Sequence, residues 1–205
     1  MQSEKKEPQK PNLNKSQNQQ KNQNDNISPV YAHLASDRVL FLSEEITLDE
    51  TASSLTSMLI YHNLTSPSDD ITLFINTVGG DVPALFNIYD IMHMITAPVN
   101  TICIGKAYSA GAVILASGAS GKRFMTKNSL VMIHGIQSSF PNTPFADIEY
   151  SDKYLKYLYK YNEKIIKILA KHTGKSVSKI KKDCERDLFL DAKDCLKYGI
   201  IDKII

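Results

Sequence analysis

The chain has 205 residues, 42% of them hydrophobic, and its 24 basic residues nearly balance its 22 acidic ones, which gives a formal net charge of +2. This balance excludes the strong electrostatic attraction by which basic proteins bind nucleic acid or anionic membrane surfaces. No apolar run approaches the roughly 20 residues that a bilayer-spanning helix needs. The length is sufficient for one domain with a sizeable core.

The first 28 residues differ in composition from the rest of the chain. They are almost all polar, and their only large apolar side chains are Met1, Leu13 and Ile27. Such a segment cannot bury enough surface to offset the entropy of ordering, so we expect a disordered tail. It has neither the apolar stretch of a secretory signal nor the Arg-rich character of a transit peptide. The sequence therefore predicts a tail at 1–28 and a folded domain at 29–205.

Strands and helices are predicted to alternate along this domain. Short apolar, β-rich runs indicate strands, and a period near 3.6 residues indicates helices. The predicted strands cover residues 39–42, 71–76, 99–104, 122–125 and 130–134. The predicted helices cover residues 48–64, 82–95, 110–117 and 148–172. This alternation is typical of an α/β fold with a parallel sheet and right-handed crossovers.

The last predicted helix is long and amphipathic. Its apolar positions recur at helical spacings, at Tyr154, Leu155, Leu158, Ile165, Ile168 and Leu169. Tyrosines also stand at positions 150, 157, 159 and 161. We interpret them as helix packing and subunit contacts, with a nucleic-acid stacking surface as the alternative.

A candidate nucleophile, Ser109, lies among small residues where a predicted strand gives way to a predicted helix. The run is Gly105-Lys-Ala-Tyr-Ser-Ala-Gly-Ala112, and the apolar Val113-Ile-Leu-Ala116 follows it. At a helix N-terminus, backbone N–H groups and the helix dipole favour developing negative charge. This placement suits the nucleophile of a serine protease, although a serine of this kind can also serve packing alone.

His134 and Asp187 can complete a catalytic triad with Ser109. His134 ends the apolar run that begins at Leu130, and Asp187 precedes the apolar Leu188-Phe-Leu190. Taken singly, the two residues would be a core histidine and a loop or helix-capping carboxylate. Taken together, the three supply a nucleophile, a base and an orienting carboxylate. Their chain order, Ser-His-Asp, excludes the α/β-hydrolase and chymotrypsin families.

A glycine pair follows the predicted strand at 71–76. The turn reads Thr77-Val-Gly-Gly80 and leads into the next predicted helix. Paired glycines permit backbone conformations that other residues rarely adopt, so such a turn can point N–H groups at an oxyanion. An ordinary strand-to-helix turn is the simpler interpretation of the same residues.

With these motifs in order, the chain resembles the proteolytic subunit of the Clp protease from about Tyr31 to Ile205. Many short motifs match the family in order and near its spacing. They are Phe74-Ile-Asn-Thr-Val-Gly-Gly80, Ile88-Tyr-Asp90, Thr101-Ile-Cys-Ile-Gly105, Ala107-Tyr-Ser-Ala-Gly111, Gly121-Lys-Arg-Phe124, Val131-Met-Ile-His134, Asp147-Ile-Glu149, Leu169-Ala-Lys-His-Thr-Gly174, Glu185-Arg-Asp187 and Tyr198-Gly-Ile-Ile-Asp202.

The resemblance implies a fold and a site. The fold is the Clp-protease and crotonase-like one: repeated β-β-α units, a mainly parallel sheet and a protruding long handle helix. The catalytic residues are Ser109, His134 and Asp187, and the oxyanion hole consists of the backbone N–H groups of Gly80 and Ala110. Arg186, paired with a handle carboxylate such as Asp147 or Glu149, is a possible sensor of ring contact.

The resemblance also implies partners and an activity. The activity is that of an ATP-dependent Clp endopeptidase of serine type, acting on unfolded polypeptides inside two stacked heptameric rings. An AAA+ unfoldase is the expected partner, and nucleic acid and membrane are not. No metal or cofactor is expected in this chain, which has no phosphate-binding Gly-x-x-x-x-Gly-Lys-Ser/Thr loop, so ATP is expected on the unfoldase. The family also makes a removable propeptide an alternative for residues 1–28.

The chain departs from the family pattern near the predicted site. The usual Asn-Ser-Pro-Gly-Gly is here Asn76-Thr-Val-Gly-Gly80, and Tyr108 and Ala110 flank the serine where a small residue and methionine are common. The residues after the histidine, 135–146, replace a Gln-Pro and glycine-rich segment. In the family this segment is a strand that pairs rings and flanks the bound peptide. The family's partly apolar axial loop is not found near the N-terminus.

The sequence also leaves two alternative functions open. One is a structural or weakly active ring subunit of a mixed Clp complex, and the other is a crotonase-type enzyme acting on acyl-coenzyme A. Cys103, Cys184 and Cys195 show neither metal-ligand spacing nor an even, paired count, which suits a reducing compartment. We therefore expect a cytoplasmic protein, or a stromal one if the chain is plastid-encoded.

Overall fold

The computed structural model describes residues 29–137 and 148–205, with side chains in the second range from residue 152 onward. Its helices are α1 (Pro29–Ser36), α2 (Ser53–Thr65, preceded by a π-helical turn at Leu48–Ala52), α3 (Val82–Met94), α4 (Ala110–Ala116), α5 (Ile148–Thr173), α6 (Val177–Asp183) and α7 (Ala192–Tyr198). Its strands are β1 (Val39–Leu42), β2 (Ile71–Thr77), β3 (Val99–Tyr108), β4 (Arg123–Met125), β5 (Leu130–Ile133), β6 (Leu188–Leu190) and β7 (Lys203–Ile204).

The strands form one mainly parallel sheet in which β3 is the central member. The order β1-β2-β3-β4-β7 is parallel throughout. Beyond β4, the last residues of β3 pair in parallel with β5, and β5 pairs in antiparallel with β6. β3 therefore joins the main sheet to the short β5–β6 pair, and its carboxyl end lies beside both.

A bulge at Gly105 lets β3 pair both with the main sheet and with β5. Its pairing with β2 shifts register between Cys103 and Ala107, and Gly105 lies there at a φ of 80°. A side chain is strained in this left-handed region, and a Cβ here would also lie 2.9 Å from the Asn76 Oδ1 atom. The buried Ser129 hydroxyl accepts a hydrogen bond from the Gly105 N–H at 2.7 Å, which secures the bend.

The core lies between the sheet and the helices packed on it. All seven residues of α4 are buried, which fits a helix that is apolar on every side. α3 buries Leu85, Ile88 and Met92. Among the residues described, no helix is both long enough and apolar enough to cross a membrane.

The helix α5 has two parts with different surroundings. In its C-terminal part Ile165, Ile166 and Leu169 are buried in the core, whereas most described residues between 152 and 164 are exposed. At the junction Tyr161 contacts Phe86 of α3, with ring centroids 5.3 Å apart. The N-terminal part of α5 therefore protrudes from the body of the chain.

The predicted fold class is confirmed, with differences at the element ends. The mainly parallel α/β architecture and the long helix were expected, but β3 continues four residues past the predicted end at Ile104 because the Gly105 bulge lets the strand go on. Patterns of period 2 or 3.6 were too short to predict α6, β6, α7 and β7, which span two to seven residues each. The predicted tail, residues 1–28, lies outside the described residues.

Candidate active site

Ser109 occupies a sharp turn between β3 and α4. Its φ of 54° and ψ of −119° lie outside the regions that residues with a side chain ordinarily adopt. Its N–H donates to the Met132 carbonyl oxygen at 2.8 Å, which ties the turn to β5. A strained strand-to-helix turn of this kind presents a serine hydroxyl at the edge of a sheet.

The His134 imidazole meets this hydroxyl. His134 follows β5 directly, and β5 lies beside the end of β3 with Tyr108 paired to Met132. Parallel strands place their carboxyl ends at one edge, so the residues that follow β3 and β5 lie close together. The His134 Nε2 atom is 2.8 Å from the Ser109 Oγ atom, within hydrogen-bond distance.

Asp187 reaches the other side of the imidazole through the antiparallel pairing of β5 and β6. Ile133 pairs with Leu188 in antiparallel, so His134, which follows Ile133, and Asp187, which precedes Leu188, are neighbours. The Asp187 Oδ1 atom is 3.5 Å from His134 Nδ1. This distance exceeds that of a good hydrogen bond, and the buried Nδ1 atom has no hydrogen-bond partner among the described residues.

Asp187 is also open to other contacts. Its side chain is 46% exposed, compared with 14% for His134. The Gln137 side-chain amide approaches the same Oδ1 atom at 3.5 Å. The carboxylate is thus shared between the imidazole and an exposed amide instead of being held by the imidazole alone.

The glycine turn after β2 lies against the Ser109 turn, and each turn supplies one backbone N–H group beside the serine. Ile46 holds the turn, because its N–H donates to Gly79 and its carbonyl accepts from Asp81, both at 2.8 Å. A Cβ on Gly79 would lie 2.7 Å from the Tyr108 carbonyl oxygen, so only glycine permits this approach. Within residues 29–137 and 148–205, the N–H groups of Gly80 and Ala110 have no hydrogen-bond acceptor. They are therefore available to an oxyanion.

Thr77 explains how this turn forms without the proline of the family pattern. Its hydroxyl donates to the Glu44 carbonyl oxygen at 2.5 Å and accepts from the Gly79 N–H at 3.1 Å. A side-chain hydroxyl that bonds the backbone two residues onward stabilises a turn. The loss of the proline is thus offset locally.

A cavity of about 90 Å³ opens beside Ser109, His134, Gly80 and Ala110. Its remaining walls are mostly apolar and come from α3, α4, β5 and α5, and they include Val82, Leu85, Val113, Ile133, Ile165 and Leu169. The arrangement can hold an apolar group next to the hydroxyl.

The cysteines have the environment of inert core residues. All three are buried and free. Burial raises the pKa of Cys103 and of Cys184 to about 11, and burial also raises the pKa of Cys195. Because the thiolate is the reactive form, none of them competes with Ser109 as a nucleophile at neutral pH. No group of three or more His, Cys, Asp or Glu side chains suited to a metal occurs in the described part of the chain.

The remaining predicted residues are placed only in part. Arg186 is exposed and adjoins Asp187. Asp147 and the Glu149 side chain lie outside the described residues, so the expected ring-contact pair stays a prediction. Tyr108 is half-buried and packs edge-on against Phe189, with centroids 5.8 Å apart.

Sequence reasoning missed the residues that support the site. Ile46 and Met132 act through backbone groups, and backbone contacts leave no signature in residue type. Gln137 lies in the segment that was recognised as a departure from the family pattern, but its contact with Asp187 depends on a loop path that the pattern does not give.

A model of a known protein family matches most of the chain. The model described as Clp protease matches residues 21–205, which is most of the chain and includes every residue of the site. The match begins ten residues before the stretch over which the sequence resemblance was seen.

Proposed function

The chain belongs to the Clp protease family, and on that premise we propose that it is a serine-type endopeptidase, the proteolytic subunit of an ATP-dependent Clp protease. Family membership supports a peptidase. The finer assignment rests on one observation, the 2.8 Å contact between Ser109 Oγ and His134 Nε2 beside two open N–H groups.

The proposed reaction begins with attack by Ser109 on a peptide carbonyl. His134 Nε2 accepts the hydroxyl proton as the Oγ–carbon bond forms, and then donates it to the leaving amine. Asp187 holds the proton on His134 Nδ1 and stabilises the imidazolium. Water then hydrolyses the acyl-enzyme by the same proton transfers in reverse.

The N–H groups of Gly80 and Ala110 are proposed to bind the oxyanion of the tetrahedral intermediate. In other serine proteases one such donor contributes about 3 to 4 kcal/mol to transition-state stabilisation. The donors act without reorganisation because Ile46, Thr77 and β5 hold the two turns in place before substrate binds.

The adjoining cavity is proposed to bind the side chain on the acyl side of the cleaved bond. Its apolar walls disfavour a charged side chain, which would lose its hydration without gaining a partner. Its volume of about 90 Å³ favours a small or medium-sized apolar residue.

Assembly and partners are proposed on the family's general properties, which are oligomeric rings and an unfoldase partner. We infer heptameric rings, stacked in pairs, that enclose the active sites and receive unfolded chains from an AAA+ unfoldase that hydrolyses ATP. Arg186 couples ring contact to Asp187 by pairing with Asp147 or Glu149 of the handle. The compartment is the cytoplasm, or the stroma for a plastid-encoded chain.

A structural or weakly active ring subunit is the second candidate, and the state of Asp187 favours it. The carboxylate is half-exposed and makes no good hydrogen bond to His134 in the single chain. A subunit of a mixed ring could remain so. Cleavage by rings made of this chain alone distinguishes the two candidates.

The decisive experiment compares Ser109→Ala with the wild type on a short fluorogenic peptide and with a fluorophosphonate probe. Loss of both cleavage and labelling is expected, with assembly unchanged, because only a hydroxyl is removed. Ser36→Ala, on the exposed face of α1, is the matched control and should retain both. Peptide cleavage that persists in Ser109→Ala would refute the assignment, and a wild type that neither cleaves nor labels would support the second candidate.

A further inference from the structure

Two histidines and a tyrosine lie close together toward the C-terminal ends of α3 and α5. The Nε2 atoms of His93 and His172 are 3.2 Å apart, and the Tyr89 hydroxyl oxygen is 3.2 Å from the same His172 atom. Tyr89 and His93 are one helical turn apart on α3, so they share a face, and His172 comes from the last turn of α5. The proposed proteolytic mechanism uses none of the three.

The nitrogen spacing suits a shared metal ion. Two imidazole nitrogens at about 2.0 to 2.1 Å from one tetrahedral zinc ion are separated by roughly 3.4 Å, close to the spacing in this chain. Imidazole is a favoured ligand for zinc and for neighbouring divalent ions of the first transition series. We propose that His93 and His172 form a binding site for a divalent transition-metal ion of the zinc class, with the Tyr89 hydroxyl as the adjacent oxygen donor.

The surroundings allow such an ion to enter and to bind. His93 is exposed, and both histidines line an open cleft of about 470 Å³. An ion can therefore reach both imidazoles directly from solvent.

The charged side chains near His93 and His172 have opposite effects on a bound cation. Lys171 and Arg123 repel a cation, while the nearby Asp90 carboxylate attracts one. The Arg123 guanidinium is already committed to the Asp202 carboxylate in a bidentate ion pair, which reduces its field at the histidines. With two nitrogen ligands and this balance of charges, we expect a dissociation constant on the order of micromolar.

A metal here would brace the walls of the active-site cavity. Leu85 lies two helical turns before His93 on α3, and Leu169 lies one turn before His172 on α5. Both leucines line the cavity beside Ser109. An ion bound by one ligand from each helix fixes their separation and hence the width of the cavity.

The test measures zinc binding to the full-length chain in the Ser109→Ala background, so that proteolysis plays no part. The protein is first stripped with a chelator, and Zn²⁺ is then titrated against a chromophoric competitor. One Zn²⁺ per chain is expected, together with a rise in the thermal midpoint. Mutation of a residue that only orients a metal ligand typically weakens metal binding about 10- to 100-fold. His93→Ala and His172→Gln remove a ligand itself, so each should weaken Zn²⁺ binding by at least that factor.

The control is His33→Ala, which removes a histidine that is 80% exposed on α1 and should leave the affinity unchanged. Because His93 is exposed, its substitution is not expected to unfold the chain, and the circular dichroism of each metal-free variant verifies this. Absence of Zn²⁺ binding at micromolar concentration, or equal affinity in the Ser109→Ala parent with and without His93→Ala, would overturn the proposal.

Discussion

Ser109 combines a strained backbone with a well-supported position. A non-glycine residue in its conformation costs of order 1 to 3 kcal/mol. The seven buried residues of α4 follow it directly, and its N–H is bonded to β5, so the surrounding structure imposes the strain. The result is a hydroxyl that is already oriented toward His134 before any substrate arrives.

The ion pair between Arg123 and Asp202 is a second place where individual side chains determine the structure. The guanidinium makes two hydrogen bonds with the carboxylate, at 2.6 and 2.9 Å, and also donates to the carbonyl oxygens of Ala116, His172 and Gly199. The two side chains are only 11% and 21% exposed. One arginine therefore joins α4, the end of α5 and the C-terminal segment.

We predict that Asp202→Asn lowers the free energy of unfolding by about 2 to 3 kcal/mol at pH 7, since it leaves a poorly solvated guanidinium without its counter-ion. Arg123 lowers the pKa of Asp202 below its usual range by hydrogen bonding. A lowered folded-state pKa gives stability that is present above pH 4, roughly the unfolded value, and is lost as pH falls through the folded value. The difference between variant and wild type should therefore disappear in acid.

Asp70→Asn is the matched control for this prediction. Its partner Lys122 also lowers the pKa of Asp70, but the two side chains are 38% and 40% exposed. An exposed pair contributes at most about 1 kcal/mol. Denaturant unfolding of both variants at several pH values provides the measurement, and an equal loss in the two would contradict the special role of Arg123.

At the scale of elements, the bulge in β3 is what positions the site. The first half of the strand belongs to the main sheet, and its last three residues pair with β5 and lead into Ser109. Without the bend at Gly105, the strand would continue along the sheet and its end would not meet β5 in this register.

We predict that Gly105→Ala reduces both stability and peptide cleavage. The left-handed φ of 80° costs an alanine about 1 to 2 kcal/mol, and the added Cβ would lie 2.9 Å from Asn76 Oδ1. Gly121→Ala is the control, because its φ of 79° is almost the same but nothing lies within 4 Å of the added Cβ. Thermal midpoints and peptide cleavage rates should show the larger loss at Gly105, and only the φ penalty, with normal cleavage, at Gly121.

At the scale of the whole molecule, the protruding part of α5 has the surface of an association site. Leu155, Tyr157 and Tyr159 are exposed there at 38%, 44% and 69%. Tyr161 contacts Phe86, so for this tyrosine the structure supports the interpretation as helix packing. Exposed apolar side chains grouped on one element are typical of an interface, so subunit contact remains our prediction for the others.

We predict that the wild type forms a double heptameric ring and that Arg186→Ala weakens both ring pairing and cleavage, since loss of the handle contact would leave Asp187 unaligned. Light scattering measures the assembly, and a fluorogenic peptide measures the activity. Lys181→Ala, an exposed cation on the neighbouring α6, should change neither. An active monomeric wild type would contradict the chamber, and an intact, fully active Arg186→Ala double ring would contradict the coupling.

Residue patterns predicted the local structure, and together with the family resemblance they predicted the residues of the candidate site. Runs rich in apolar and β-branched residues located β1, β2 and β5 to within a residue or so, and β4 was located equally well although its predicted range begins with two basic residues. Ser109, His134 and Asp187 could be selected because few side chains can serve as nucleophile, base and orienting carboxylate. The backbone strain at Ser109, by contrast, could not be predicted, because the sequence shows only a run of small residues around it.

Only the tertiary structure decided how these residues meet. The register of β5 against β3 and β6 brings together side chains that are 25 and 53 positions apart in the chain, and register follows from long-range pairing that no local period encodes. The histidine pair shows the same limit: His93 and His172 are 79 residues apart, and each alone looks like an ordinary helix residue. Local preferences act within a few residues, so the sequence determined the elements and the chemistry available to them, whereas packing determined which groups share a site.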